Sequence, residues 1–319
     1  MIKWFFIIML PCLCWSQEST IVKVQQLISN KSYKKAEILI SSFSNNNPNN
    51  LHALELYGDS VAHQENWDEA IQIYKKLTTQ QPNNANYHYK YGGSLAKKIL
   101  SVSKLKALNY VGDAKDAFLK AAELDPNHIE TRWALVEMYL QLPGILGGSN
   151  KKAYGYANEL ENISKVDGYM AKGYFYEYTK DPELAEKYYK MSVDIGGSLT
   201  CYDKLSKFYQ QQKNPEKAIA TIQTSLDKHQ RNSLHYQLGR VCAEYNLHLD
   251  KGEECLNTYI EKHTARDGVP IAWANFRLAQ IHKHKKDKTK ALKYVNLALS
   301  EMPNNEVFQE EKLSILQLF

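Results

Sequence analysis

The run with the most chemical potential is Pro143-Gly144-Ile145-Leu146-Gly147-Gly148-Ser149-Asn150-Lys151-Lys152. A glycine-rich turn feeding a helix N-terminus can hold an anion on its backbone N–H groups, with lysines close by. That makes Gly147, Gly148, Ser149 and Lys151 a candidate anion-binding loop. It is not a nucleotide-binding Walker loop, because Gly144 has no Gly-Lys-Ser/Thr at the required offset and no strand is expected before it. The same residues also read as a plain turn. Pro143 and Gly144 then end one helix, Gly147 and Gly148 take positive φ, and Ser149 or Asn150 caps the next. The turn is the simpler assignment.

Other reactive residue types are scattered. His282 and His284 are two apart, on different faces of a helix, and make a poor metal pair. No H-E-x-x-H, C-x-x-C or G-x-S-x-G pattern occurs. Glu65, Asp68 and Glu69 gather at a helix start, where they complement its dipole. Neither a catalytic set, a metal site nor a cofactor is therefore expected. Beyond the first sixteen residues only Cys201, Cys242 and Cys255 remain, too few for a disulfide framework. Cys242 and Cys255 fall on the two helices of one expected hairpin, where they can pair under oxidising conditions or serve as small core residues.

Residues 1–16 differ in kind from the rest. Lys3 is followed by an apolar run from Trp4 to Leu13, then by small Cys14 and Ser16 and by Gln17. This is the pattern of a secretory signal peptide, too short for a comfortable membrane span. The expected location is the periplasm or cell envelope after cleavage. No second long apolar run follows, so no membrane insertion of the mature chain is expected. Of the 319 residues 24% are charged, for a net charge of +5, with both signs interspersed and no long basic block. That excludes the usual electrostatic footprint for nucleic acid. Tyrosine is abundant at 22 residues, suited to half-buried positions between packed layers.

The elements carrying these residues repeat. YKKAEILISSFSNNNP, WDEAIQIYKKLTTQQP, DAKDAFLKAAELDP and KTKALKYVNLALSEMP share one phrase, and in each an alanine precedes a proline by twelve residues: Ala36 and Pro48, Ala70 and Pro82, Ala114 and Pro126, Ala291 and Pro303. Ala36 and Ala70 are 34 apart; Gly58 precedes Ala70 by twelve, as Gly173 precedes Ala185. Small residues on both helices let two backbones approach, and large ones fill the space around the contact at helical spacing. The closing proline stops the second helix.

In these residues the chain resembles the tetratricopeptide-repeat family, whose unit is a 34-residue helix–turn–helix. The resemblance implies an all-α fold, a right-handed superhelical α-solenoid of about eight hairpins over residues 17–304. Insertions are expected near 97–112, 143–150 and 246–252, and a capping helix over 305–319. The second helices centre on Ala36, Ala70, Ala114, Ala153, Ala185, Ala218, Cys255 and Ala291.

In such a solenoid the first helix of each hairpin lines the concave face, where ligand peptides usually lie. Mapped onto this sequence, that face carries Tyr89, Trp133, Tyr174, Tyr236, Arg240, Trp273 and Phe276 among mixed charges. The leading functional expectation is a non-catalytic scaffold or adaptor for a protein or peptide partner. The alternatives are an accessory subunit of a solute-uptake system, binding a small ligand and docking a solute-binding protein, and an enzyme using the glycine-rich loop. The apolar N-terminal hairpin face around Val22 to Ile28 also offers a surface on which a second copy can stack.

Overall fold

The computed structural model describes residues 20–264 and 266–318. The expected signal segment lies outside the described residues. Among the described residues there are seventeen α-helices and no strand. None of these helices is long and apolar enough to cross a membrane.

The helices sort into two compact units divided between Ser164 and Lys165. The first holds α1 (20–29), α2 (Tyr33–Asn46), α3 (Leu51–Ala62), α4 (Trp67–Gln80), α5 (Ala85–Ser101), α6 (Lys104–Leu124), α7 (Ile129–Gln141) and α8 (Asn150–Ile163). The second holds α9 (Lys165–Tyr178), α10 (Pro182–Gly196), α11 (Leu199–Gln211), α12 (Pro215–His229), α13 (Asn232–Tyr245), α14 (Leu249–Glu261), α15 (Ile271–His284), α16 (Lys288–Glu301) and α17 (Glu306–Leu318). Within each unit odd- and even-numbered neighbours form hairpins that stack in order.

The hairpin contact is made by small residues. Ala36, Ala70, Ala114, Ala153, Ala185, Ala218, Cys255 and Ala291 are all buried, and the residue four further on is buried with each, from Ile40 and Tyr74 to Tyr259 and Val295. At Gly58 a Cβ would stand 2.8 Å from the Tyr74 ring, and at Gly173 it would stand 2.6 Å from the Tyr189 ring. Glycine is required at both because the second-helix tyrosine lies flat against the first-helix backbone.

Six hairpins share one turn, five of them with a lysine or glutamate at its left-handed position. Lys31, Glu65, Lys180, Lys213 and Lys286 each take left-handed φ, between 54° and 64°. The next residue's N–H then reaches back to the first helix, as in Asn66 to Val61, Asp181 to Tyr176, Asn214 to Tyr209 and Asp287 to His282. A non-glycine residue there costs roughly 1 kcal/mol, offset by satisfying an orphan carbonyl. Asp181, Asn214 and Asp287 also cap the following helix through their side chains. The hairpins α5–α6 and α7–α8 lack this turn and hold two of the expected insertions; α13–α14 makes it at Asn246, with the Leu247 N–H reaching back to Cys242.

The last helix, α17, lies on α15 and α16. Phe308 joins Ala272, Phe276 and Ala298, while Ile315 joins Ala279, Ala291 and Val295. It covers the apolar surface that the final hairpin would otherwise leave open.

Candidate functional site

In the first unit the first helices are tied to each other by side chains one repeat apart. Lys90 on α5 donates to Glu55 (2.7 Å) and Asp59 (2.7 Å) on α3. Asn86 donates to Glu55 as well (2.9 Å), and the Tyr74 hydroxyl donates to Asp59 (2.6 Å). Burial opposes the Lys90 charge, but the two carboxylates outweigh it and raise its pKa. Burial, reinforced by Asp59, pushes the Tyr74 hydroxyl far above its usual range, so it stays a donor. Further along, Tyr89 packs on the His128 ring (5.2 Å), and burial together with the charges of Glu130 and Glu137 raises its pKa. The row α3–α5–α7 thus ends in a half-buried aromatic, Trp133, beside exposed carboxylates.

The second unit repeats the device with different charges. Lys204 on α11 sits over the Tyr174 ring of α9 (6.0 Å). Arg240 on α13 donates to Gln210 on α11 (2.9 Å) and pairs with Glu244 (2.7 Å). Arg277 on α15 pairs with the same Glu244 (2.7 Å), donates to Gln280 (2.8 Å) and stacks on Phe276 (5.0 Å). The row α9–α11–α13–α15 is a ladder of cations and amides with Glu244 shared between two arginines.

The sequence-expected residues divide. Tyr89, Trp133, Tyr174, Arg240 and Trp273 are half-buried on these rows. Tyr236 and Phe276 are buried, which corrects their assignment as contact residues. Tyr236 packs on Tyr259 (5.3 Å), and Phe276 stacks on Phe308 (5.0 Å). Trp273 itself meets Phe308 edge-on at 4.9 Å, so much of its ring faces the cap. The expectation missed Lys90, Gln210, Glu244 and Arg277. Their signal was the spacing of about one repeat between opposite partners.

The glycine-rich loop is a turn. The amides of Gly147, Gly148 and Ser149 are donated to Gly144, Pro143 and Tyr139, and Ser149 Oγ caps Lys152 N. The loop amides expected to cradle an anion, those of Gly147, Gly148 and Ser149, are committed to the turn, and Lys151 stands on the helix that follows. Gly148 is obligatory because a Cβ would fall 1.8 Å from the Leu142 carbonyl oxygen.

Cys201, Cys242 and Cys255 are free and buried. Burial pushes the Cys242 thiol up to about 12 and the Cys255 thiol to about 11, so neither is an activated nucleophile. His282 is buried and stacked on Tyr294 (5.3 Å), while His284 bonds the Ala243 carbonyl (3.1 Å). Among the described residues no cluster suits a metal ion.

A separate cavity of about 670 Å³ opens between α12, α13 and α14, lined by Asp227, Asn232, His235, Lys251, Glu254 and Lys262 among others. Nδ1 of His235 has no hydrogen-bond partner there, and burial, with Lys262 nearby, lowers its pKa.

Comparison with known proteins bears on the fold. Family models described as tetratricopeptide repeat match residues 34–85, and again 166–195 and 274–305. No curated protein matches the sequence. A tetratricopeptide repeat protein of Parabacteroides merdae is 14% identical, with a TM-score of 0.51 over 95% of this chain and 99% of that one. A chain of the APC/C hetero-tetramer Cut9–Hcn1 is 15% identical at TM-score 0.49 over 93% of this chain, which spans 55% of that one. YrrB, described as having an unusual peptide-binding site, is 16% identical at TM-score 0.43, over 61% of this chain and 97% of its own.

Proposed function

We propose that this chain, a tetratricopeptide-repeat protein, is a non-catalytic scaffold that holds a protein segment along its first-helix rows, outside the cytoplasm. The observation that carries the reading is the row that each unit carries. Half-buried aromatics at Tyr89, Trp133 and Tyr174 stand beside charged side chains that the ladder holds in place. Partly covered rings set among fixed charges are the composition of protein contact surfaces. The spent amides of the glycine-rich loop and the raised cysteine pKa values offer no support for catalysis. The exported location rests on residues 1–16.

The test is a pull-down from cell-envelope extract, wild type against a Trp133→Ala, Tyr174→Ala double variant. A protein recovered only with wild type supports the reading; identical recovery with both overturns it. N-terminal sequencing checks export, with Gln17 expected as the first residue and an intact Met1 counting against it. The second reading, a solute-uptake accessory subunit, is supported by the polar cavity around His235. It expects a polar solute to raise the melting temperature of wild type and not of a His235→Ala variant.

A further inference from the structure

The hairpin α5–α6 carries material that its neighbours lack. Helix α3 runs four residues past Gly58, to Ala62, whereas α5 runs nine past the equivalent Gly92, to Ser101. Helix α4 begins three residues before Ala70, whereas α6 begins ten before Ala114, at Lys104. At 1.5 Å per residue the two helices therefore project about 7 to 10 Å beyond the edge of the first unit.

The composition of the projecting piece is unlike the rest of the surface. Leu105 is 81% exposed and Leu100 is 73% exposed, with Leu108 also in solvent. In the same stretch stand Lys97, Lys104 and Lys106, all exposed. From Glu69 to Asp113 the chain contains no other acidic residue. On α6, Leu105, Leu108, Gly112 and Lys115 follow at helical spacing and share one face. That face leads to the turn between α7 and α8, where a Cβ on Gly147 would lie 3.6 Å from Lys115 Nζ. The turn presents Ile145, 94% exposed, on a backbone that Gly148 locks. Both are turns within hairpins, so they leave the first unit on the same edge.

We propose that this edge, formed by residues 97–110 and Ile145, docks on an anionic lipid surface. Leucines and an isoleucine held in solvent on stiff supports can enter the headgroup boundary, and the flanking lysines are drawn to anionic headgroups. Charge selects this occupant. The outer face of α17 also exposes Val307, Leu313 and Leu316, but among Glu306 and Glu310, which an anionic surface would repel. The contact is peripheral and uses a surface separate from the first-helix rows.

The test is flotation of the chain from Gln17 onward, which keeps every described residue, with two kinds of vesicle. One is phosphatidylcholine alone, the other phosphatidylcholine mixed with phosphatidylglycerol. Binding is expected to the mixed vesicles only and to weaken with salt. Leu105→Ser with Leu108→Ser should lower partitioning roughly tenfold or more. Lys104→Gln and Lys106→Gln should each lower it about fivefold. The substituted residues are exposed, and an unchanged urea midpoint confirms that each variant is folded. Failure to bind mixed vesicles, equal binding to neutral ones, or binding that survives both sets of substitutions overturns the proposal. Capture of an acidic protein through the same residues, without vesicle binding, overturns it in favour of a protein partner.

Discussion

In the first unit the row α3–α5–α7 carries Glu55, Asp59, Glu130 and Glu137 with Lys90, whereas in the second the row α9–α11–α13–α15 carries Lys204, Lys207, Arg240 and Arg277 with Glu177, Asp203 and Glu244. The supporting geometry is the same in both. A small residue on the first helix, a buried ring from the second, and a polar link to the next repeat recur in each unit. The repeat therefore dictates where a side chain stands and leaves its charge free to vary. Under the proposed function, a basic segment of a partner would suit the first row and a segment with carboxylates the second.

The shared geometry can be broken most severely at the glycines. Gly58→Val and Gly173→Val each force a branched side chain into a tyrosine ring that cannot swing away. The Tyr74 hydroxyl is bonded to Asp59 at 2.6 Å and the Tyr189 hydroxyl to Glu177 at 2.5 Å. Overpacking of this kind costs about 3 kcal/mol. Urea titrations should show similar losses for the two variants. A neutral result in one unit would mean that the close approach is not a common device.

The polar links come next and should separate the units. Lys90→Ala leaves Glu55 with Asn86 and Asp59 with Tyr74, neither of them charged, so the loss should be about 2 kcal/mol. Arg277→Ala leaves Glu244 still paired with Arg240, and its loss should be about 1 kcal/mol. Equal losses, measured by the same titration, would show that the second arginine gives Glu244 no reserve.

How far the sequence foretold this is best judged residue by residue. The alanine–proline spacing located the second helices because a backbone contact tolerates only small residues, and those positions are buried. The first-helix face was read less well, since its positions do not say which neighbours pack over them. Tyr236 is covered by Tyr259 of its own hairpin and Phe276 by Phe308 of the cap, contacts that helical spacing alone does not show. The links were legible in principle. Lys90 and Asp59 are 31 residues apart, Lys217 and Glu186 31, Lys285 and Glu253 32, so opposite charges one repeat apart were the pattern to seek. The glycine-rich loop left two readings open because its residue types suit an anion as well as a turn, and the fate of its amides depends on how the chain closes around Tyr139. The division between Ser164 and Lys165 has no composition signal, because α9 begins without a long linker.

The smallest expected effect compares one repeat position across the units. Glu37 follows Ala36 as Glu186 follows Ala185, and each reaches forward to the next repeat, to Gln64 (2.8 Å) and Lys217 (2.9 Å). The Lys34 bond, with Gln64, holds the Glu37 pKa below the carboxylate range against burial. Burial pushes Glu186 up, but bonds from Lys190, Lys217 and Tyr209 outweigh it and hold the group at about 2. An unfolded glutamate titrates near 4.3, so the folded state binds fewer protons in this window. The stabilisation is then complete above about pH 4.3 and lost as the pH falls through the folded value. Discounted for partial solvent exposure, Glu186 contributes about 1 kcal/mol at neutral pH, and Glu37 less. Glu186→Gln should thus flatten the fall in stability between about pH 4.3 and 2 more than Glu37→Gln does. If the two variants flatten it equally, the cation supplied by the next repeat adds nothing over an amide. The forward link would then be a matter of geometry and not of charge.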